Sequence, residues 1–205
     1  MSSLIDQYKE LHKSNKNYGN SSLKYLEQIS LMIDFLNPKT ILDFGCGKGS
    51  LVEAISRKYP EIEVFGYDPA IPERTELPNK KIDFIINTDV LEHIPEAELP
   101  EIVDSISKIS QNVFFGLHHA EAKNFLPNGE NAHCTIKPPE WYHHFFKSYF
   151  SVIVPLSSYD PVLSAVVTFN IPNHVLDKYN NINDRMTLKK KIKFVFKKIT
   201  NFFKK

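Results

Sequence analysis

The run Thr40-Ile41-Leu42-Asp43-Phe44 stops abruptly at Gly45-Cys46-Gly47-Lys48-Gly49, and this junction limits what the chain can become. A short apolar run bounded by glycines reads as a buried strand of a parallel sheet turning tightly into a helix. The helix follows at Ser50 to Tyr59, with Leu51, Ala54 and Ile55 on one face. Glycine lets another group approach the backbone closely, and the unpaired N–H groups of a helix start face outward. Such a turn is a general seat for nucleotide-like ligands.

The pattern around it repeats. Val64 to Tyr67, Ile82 to Thr88 and Asn112 to Leu117 read as further strands, with a helix over residues 97–109 before the last. Strands alternating with helices imply parallel βαβ units. Upstream, residues 3–13 read as a polar helix. Leu23, Leu26, Ile29, Ile33 and Leu36 then carry a helical period, with Ser21 or Ser22 as N-cap and Pro38 as terminator. After a polar loop over residues 121–135, Pro138-Pro139-Glu140 opens a helix. Phe150 to Pro155 and Leu163 to Phe169 read as an antiparallel hairpin closing the sheet edge. The expected class is α/β, mostly parallel.

Met186 to Lys205 carries eight lysines and no acid, although the whole chain is only +1, so the body is net acidic. That argues against a nucleic-acid partner. The economical division is one domain over residues 1–180 and a basic amphipathic helix over 181–205. On the tail, Leu188, Ile192, Val195, Ile199 and Phe202 recur at helical spacing, widened by Phe196 and Phe203, with lysines elsewhere. This pattern fits a helix lying on an anionic membrane surface, or one docked on its own domain. No stretch approaches the ~20 apolar residues that cross a bilayer. No apolar leader follows Met1, and Cys46 and Cys134 make neither a disulfide framework nor a metal-ligand spacing. The expected location is cytoplasmic, with the tail peripheral at the inner face of the membrane.

Two ligand classes fit the glycine turn, and spacing separates them. The dinucleotide pattern G-x-G-x-x-G needs glycine at position 50, where the chain has Ser50. The run Asp43-x-Gly45-x-Gly47-x-Gly49 instead resembles motif I of the class I S-adenosylmethionine (SAM)-dependent methyltransferases. Asp68 at the end of the second strand, the segment Asp89-Val90-Leu91-Glu92-His93-Ile94-Pro95 and the strand at Gln111 to Phe115 continue that resemblance in order, over roughly residues 20–120. It implies a Rossmann-like sheet with SAM as cofactor and S-adenosylhomocysteine as product. It further implies that Gly45, Cys46 and Gly47 admit the methionine portion and that Asp43 holds their loop. Asp68, with Pro69 behind it, takes the ribose; Thr88, Asp89 and Val90 flank the adenine or sulfonium, and His93 borders them. Cys46 reads as the small residue of the loop rather than a nucleophile. Tyr18-Gly19 resembles the approach to the cofactor in a small bacterial subgroup, with Tyr18 as a lid contact. The chain departs from the family pattern between residues 69 and 81, too short for the usual helix and third strand, so that region is expected to be abbreviated.

Substrate groups belong beyond the carboxyl ends of parallel strands, which here means the loop after the fourth of the strands above. His118, His119 and His133 fall within it, and histidine suits a general base near neutral pH. These three are the catalytic candidates for O-methylation of a small polar acceptor. A metal could use them with Glu121, but no spacing enforces it and none is expected. Residues 126–150 resemble small bacterial methyltransferases, some of whose relatives decorate surface polysaccharides, which implies a sugar or nucleotide-linked acceptor. Trp141 and Tyr142 read either as an aromatic wall over that acceptor or, better, as a helix face packed on the sheet. A nicotinamide-dependent dehydrogenase and a non-catalytic partner subunit of the same fold are the competing readings.

Overall fold

The computed structural model describes residues 3–16 and 18–202. Six strands form one sheet in the order β2-β1-β3-β4-β6-β5. β1 (Thr40–Phe44), β2 (Glu63–Tyr67), β3 (Phe84–Thr88) and β4 (Val113–His118) are parallel, whereas β6 (Leu163–Val167) runs antiparallel to β4 and to the short β5 (Val154–Leu156). The fold is therefore the α/β Rossmann-like sheet with its closing antiparallel pair. Among the described residues nothing pairs beyond β2, because residues 69–81 hold a single 3₁₀ turn, Pro72–Arg74. The shortened segment removes a strand, and β2 becomes the edge.

Consecutive strand residues face opposite sides of a sheet, and both sides here are buried. Ile41, Phe84, Ile86 and Phe114 meet Ile29, Met32 and Ile33 of α2 (Leu26–Leu36), together with Leu51 and Ile55 of α3 (Ser50–Lys58). Leu42, Ile85 and Phe115 meet Leu99, Val103 and Ile106 of α4 (Leu99–Ile109) and Tyr142 and Phe146 of α5 (Pro139–Phe146). Tyr142 is fully buried in this layer and Trp141 packs against it, so these aromatic rings are core rather than a ligand wall. α1 (Leu4–Ser14) starts from a capping box between Ser3 and Asp6.

Two boundaries differ from the sequence expectation. Ser21 and Ser22 do not cap α2. They belong to a 3₁₀ turn, Ser21–Tyr25, that lifts Lys24 and Tyr25 towards the sheet, and Ser22 is itself buried. The last helix, α6 (Asn173–Phe202), begins just after Pro172 and runs through the expected boundary at residue 181 without a break. Its first half packs on the domain through Val175, Tyr179 and Ile182, with Gln28 Nε2 donating to Asn183 Oδ1 at 3.0 Å. Further along, Leu188, Ile192, Phe194 and Phe196 are exposed. The side chains of Val195, Ile199 and Phe202, and the whole of Phe203, lie outside the described residues.

Candidate functional site

The parallel strands end at one rim, where their loops are tied together. The Gly45 and Cys46 N–H groups both donate to Tyr67 O, at 2.7 and 3.0 Å, joining the loop after β1 to the end of β2. Asp68 reinforces the join. Its Oδ2 accepts from Gly47 N–H and its Oδ1 from Ala70 N–H, each at 2.9 Å. Gly45 and Gly47 hold φ of 84° and 51°, a region L side chains rarely adopt. Neither has room for a side chain: a Cβ on Gly45 would run into Val90 Cγ2, and one on Gly47 would lie 2.6 Å from Gly19 O.

The N-terminal segment roofs this rim. Lys48 N–H donates to Gly19 O at 3.3 Å, Lys48 Nζ donates to Asn15 O and Lys16 O at 2.8 and 3.0 Å, and Ser50 bonds Asn20. On the far side, Tyr8 OH donates to Ala132 O at 2.7 Å, and Asn128 N–H donates to Gln7 Oε1 at 3.1 Å. Under the roof lies a pocket of about 850 Å³, within the ~300–1,000 Å³ usual for small-molecule sites. It takes in Tyr18, Gly45, Cys46, Gly47, Asp68, Pro69, Thr88, Asp89, Val90 and His93, and it adds His118 and His133.

Asp43 and His119 do not line the pocket. Asp43 sits at the end of β1 with 1% of its surface exposed, and its Oδ2 has no hydrogen-bond partner. Burial, with Asp68 nearby, pushes its carboxyl up to about 7 from an ordinary 3.8. Between those values the folded chain keeps a proton that the unfolded chain has lost. Stability therefore falls as pH rises through that window, by up to about 1.4 kcal/mol per unit, and levels off above it. Asp43→Asn is expected to remove this slope, read as the difference between variant and wild type in urea unfolding at pH 5, 6, 7 and 8. Parallel curves would reject the assignment. His119 is held away at both ring nitrogens, Nδ1 on Lys137 O at 2.7 Å and Nε2 on Ser164 Oγ at 2.6 Å. It braces the hairpin and has no lone pair to spare. Burial pushes the Cys46 thiol up to about 12, which removes thiolate character at neutral pH.

The histidine side of the pocket is built around a cluster. His133 stands between His93 and His118, with ring centroids 4.7 and 4.8 Å away. His93 Nδ1 and His133 Nδ1 reach the carbonyl oxygens of Ala132 and Ala120, both at 2.6 Å, so each of these nitrogens carries the proton and donates it. Burial, with His133 beside it, lowers His93 to about 4 and lowers His118 and His133 as well, so the cluster is neutral at neutral pH. Lys24 Nζ pairs with Asp89 Oδ2 at 2.7 Å at the pocket wall, and Asp89 holds a left-handed φ of 55°. Behind them Glu92 is wholly buried. Neither of its side-chain oxygens meets a hydrogen-bond partner, and burial, with Asp89 nearby, holds its carboxyl well above the usual carboxylate range. Glu92, His93 and His133 each offer a metal-ligating atom within 4.8 Å of the others.

Sequence reasoning missed Tyr8, His12, Lys24 and Glu92. The first three arrive from a helix and a 3₁₀ turn with no motif of their own, and only the roof's docking brings them to the pocket. Glu92 lies inside the segment Asp89 to Pro95, but nothing in the local spacing says that its side chain turns inward.

Residues 21–144, more than half of the chain, match the family described as "Methyltransferase domain". Among solved structures, an O-methyltransferase family protein from Burkholderia thailandensis is 11% identical with a TM-score of 0.51, over 70% of this chain and 56% of its own. Human N-acetylserotonin methyltransferase, solved in complex with SAM, is 14% identical with a TM-score of 0.51, over 82% and 56%. The 1,6-didemethyltoxoflavin-N1-methyltransferase of Burkholderia thailandensis, solved with 1,6-didemethyltoxoflavin and S-adenosylhomocysteine, is 11% identical with a TM-score of 0.52, over 74% and 80%. The chain spans little more than half the length of the first two. At such identities these likenesses establish a shared fold. The family match reaches further, because the matched span holds the glycine loop, Asp68 and the pocket histidines His93, His118 and His133: the chain belongs to the methyltransferase domain family.

Proposed function

We propose that this methyltransferase moves a methyl group from SAM to a hydroxyl of a small polar acceptor, a sugar or nucleotide-linked precursor of a surface polysaccharide. The observation that carries the reading is one roofed pocket holding both the Asp68-clamped glycine loop and two histidines, His118 and His133. The loop fits the cofactor because Gly45, Cys46 and Gly47 line the same pocket as Asp68. When bound, SAM supplies a methyl carbon on a sulfonium, and its C–S bond breaks towards sulfur as the acceptor's O–C bond forms. The protein's part is alignment and proton removal. Asp68 retains lone pairs for the ribose hydroxyls, and Tyr18 closes the roof over them. His133, protonated at Nδ1, presents a basic Nε2; with His118 it receives the acceptor's proton. The acceptor class rests on the likeness of residues 126–150 to polysaccharide-associated methyltransferases.

Calorimetry with SAM, S-adenosylhomocysteine and NAD tests the reading. The two sulfur ligands are expected to bind at one site per chain, and NAD not at all. NAD binding without SAM binding would overturn it.

The tail carries a second part of the proposal, a peripheral contact with an anionic membrane at the cytoplasmic face. No helix among the described residues is long and apolar enough to cross a membrane. The exposed Leu188, Ile192 and Phe196 beside a lysine-rich face support a surface contact instead. Full-length protein is expected to float with vesicles rich in anionic lipid, and a Leu188→Ser, Ile192→Ser, Phe196→Ser variant to remain below. Failure of the full-length protein to float would remove the membrane from the picture, and equal flotation of both would remove these three side chains as the contact.

A further inference from the structure

Glu92 stands out because a wholly buried carboxyl without a partner either keeps its proton or exchanges it for a cation. Here both of its oxygens go without a hydrogen bond, and the nearby lysine, Lys24, is taken by Asp89. Two imidazoles stand beside it, and each is fixed by donating Nδ1–H to a carbonyl, which leaves the Nε2 lone pair bare. This backbone clamp on the second nitrogen is the arrangement that orients histidine as a metal ligand. The clamp is itself held. Cys134 N–H and Thr135 N–H donate to Glu92 O at 2.9 and 3.0 Å, His133 N–H donates to Asn131 Oδ1 at 2.9 Å, and Tyr8 OH shares Ala132 O.

The geometry points to a site for one divalent first-row transition cation, ligated by Glu92, His93 and His133. Two neutral imidazoles and one carboxylate suit zinc, manganese, cobalt or ferrous iron, whereas calcium and magnesium prefer oxygen throughout. Bonds of about 2.1 Å allow donor pairs up to about 4.2 Å apart. Each of the three side chains already brings a ligating atom to within 4.8 Å of the others, so loading asks for only a small closure. His93 and His133 line the pocket and Glu92 does not, so the protein ligands occupy the inner side and the open positions face the pocket. A hydroxyl oxygen of the acceptor fills one of them, and a bound cation makes that hydroxyl easier to deprotonate. The His133 lone pair is then committed to the cation, and His118 is left as the proton acceptor. This role for the site rests on the methyl-transfer reading; the site itself does not.

The test is titration of chelator-stripped, full-length protein with Co²⁺, followed by its visible d–d absorption. Saturation at one equivalent, with displacement by Zn²⁺, is the expected result. Glu92→Gln and His133→Ala are each expected to weaken Co²⁺ binding at least tenfold. Glu92→Gln lies in the core and can fail to fold. His133→Ala, at a half-buried position and checked by circular dichroism, carries the test alone in that case. Absence of saturable Co²⁺ binding, or unchanged affinity in His133→Ala, overturns the site and leaves methyl transfer standing. Loss of SAM binding in the wild type while Co²⁺ still binds overturns methyl transfer and leaves the site.

Discussion

Gly47→Ala is expected to weaken SAM binding about a hundredfold, roughly 2.7 kcal/mol. The residue sits at φ 51°, where a Cβ alone costs about 1–2 kcal/mol. The new methyl would also meet backbone, not a yielding side chain: Gly19 O at 2.6 Å, Gly19 Cα at 2.9 Å and Gly19 C at 3.1 Å. The roof over the cofactor must lift or the loop must drop, and either change breaks the Lys48 N–H bond to Gly19 O. Gly129→Ala is the control. It has the same kind of strained φ, 87°, but nothing within 4 Å of the added methyl. It should lose about 1–2 kcal/mol of stability for the strained backbone while SAM binding stays within threefold. Calorimetry and thermal unfolding on both variants decide the matter, and equal SAM affinities would show that the roof does not close on the glycine loop.

Asp68→Ala is the second large effect. Its carboxylate, 8% exposed, accepts from the N–H groups of Gly47 and Ala70 at once. Hydrogen bonds to a charged acceptor contribute roughly 1.5–3 kcal/mol each, so removing both should lower stability by about 3 kcal/mol or more. SAM affinity should fall below detection, because the clamp between the two loops and the acceptor for the ribose go together. Asp68→Asn keeps the shape and one acceptor oxygen. It is expected to recover most of the stability but little of the binding, which separates the two roles. Binding within threefold of wild type in a folded Asp68→Ala variant would move the ribose site elsewhere.

What was readable in the sequence was what local chemistry decides. The strand at residues 40–44, its glycine turn and the following helix are specified within residues 40–58, and the missing strand is legible too, since the thirteen residues 69–81, three of them proline, leave no room for one. The start of α6 was not readable. Lysine patterning drew attention to residue 186, whereas the helix begins after Pro172, where Val175 and Tyr179 find a surface on α2 that only the folded sheet provides. The histidines divide for a reason the sequence did contain. His118 ends β4 and His119 follows it, so strand alternation sends the two side chains to opposite faces and only one can reach the pocket. His133, fifteen residues on, gets there by loop docking that no period encodes.

The truncated sheet has a consequence far from the chemistry. With no third strand, the unpaired backbone of β2 faces outward, and an open strand edge is a template on which a second chain can add and aggregate. The segment over residues 69–81 defends it. Arg74 lies against Gly66, and Lys80 reaches back to Glu63 at 2.6 Å and over the Phe65 ring at 5.7 Å, putting positive charge along the strand. At the opposite margin β5 is only three residues long and carries Pro155, which has no N–H to offer a newcomer. Both margins are thus insulated against strand exchange, and charge-removing changes at Arg74 or Lys80 would endanger solubility before they touched catalysis.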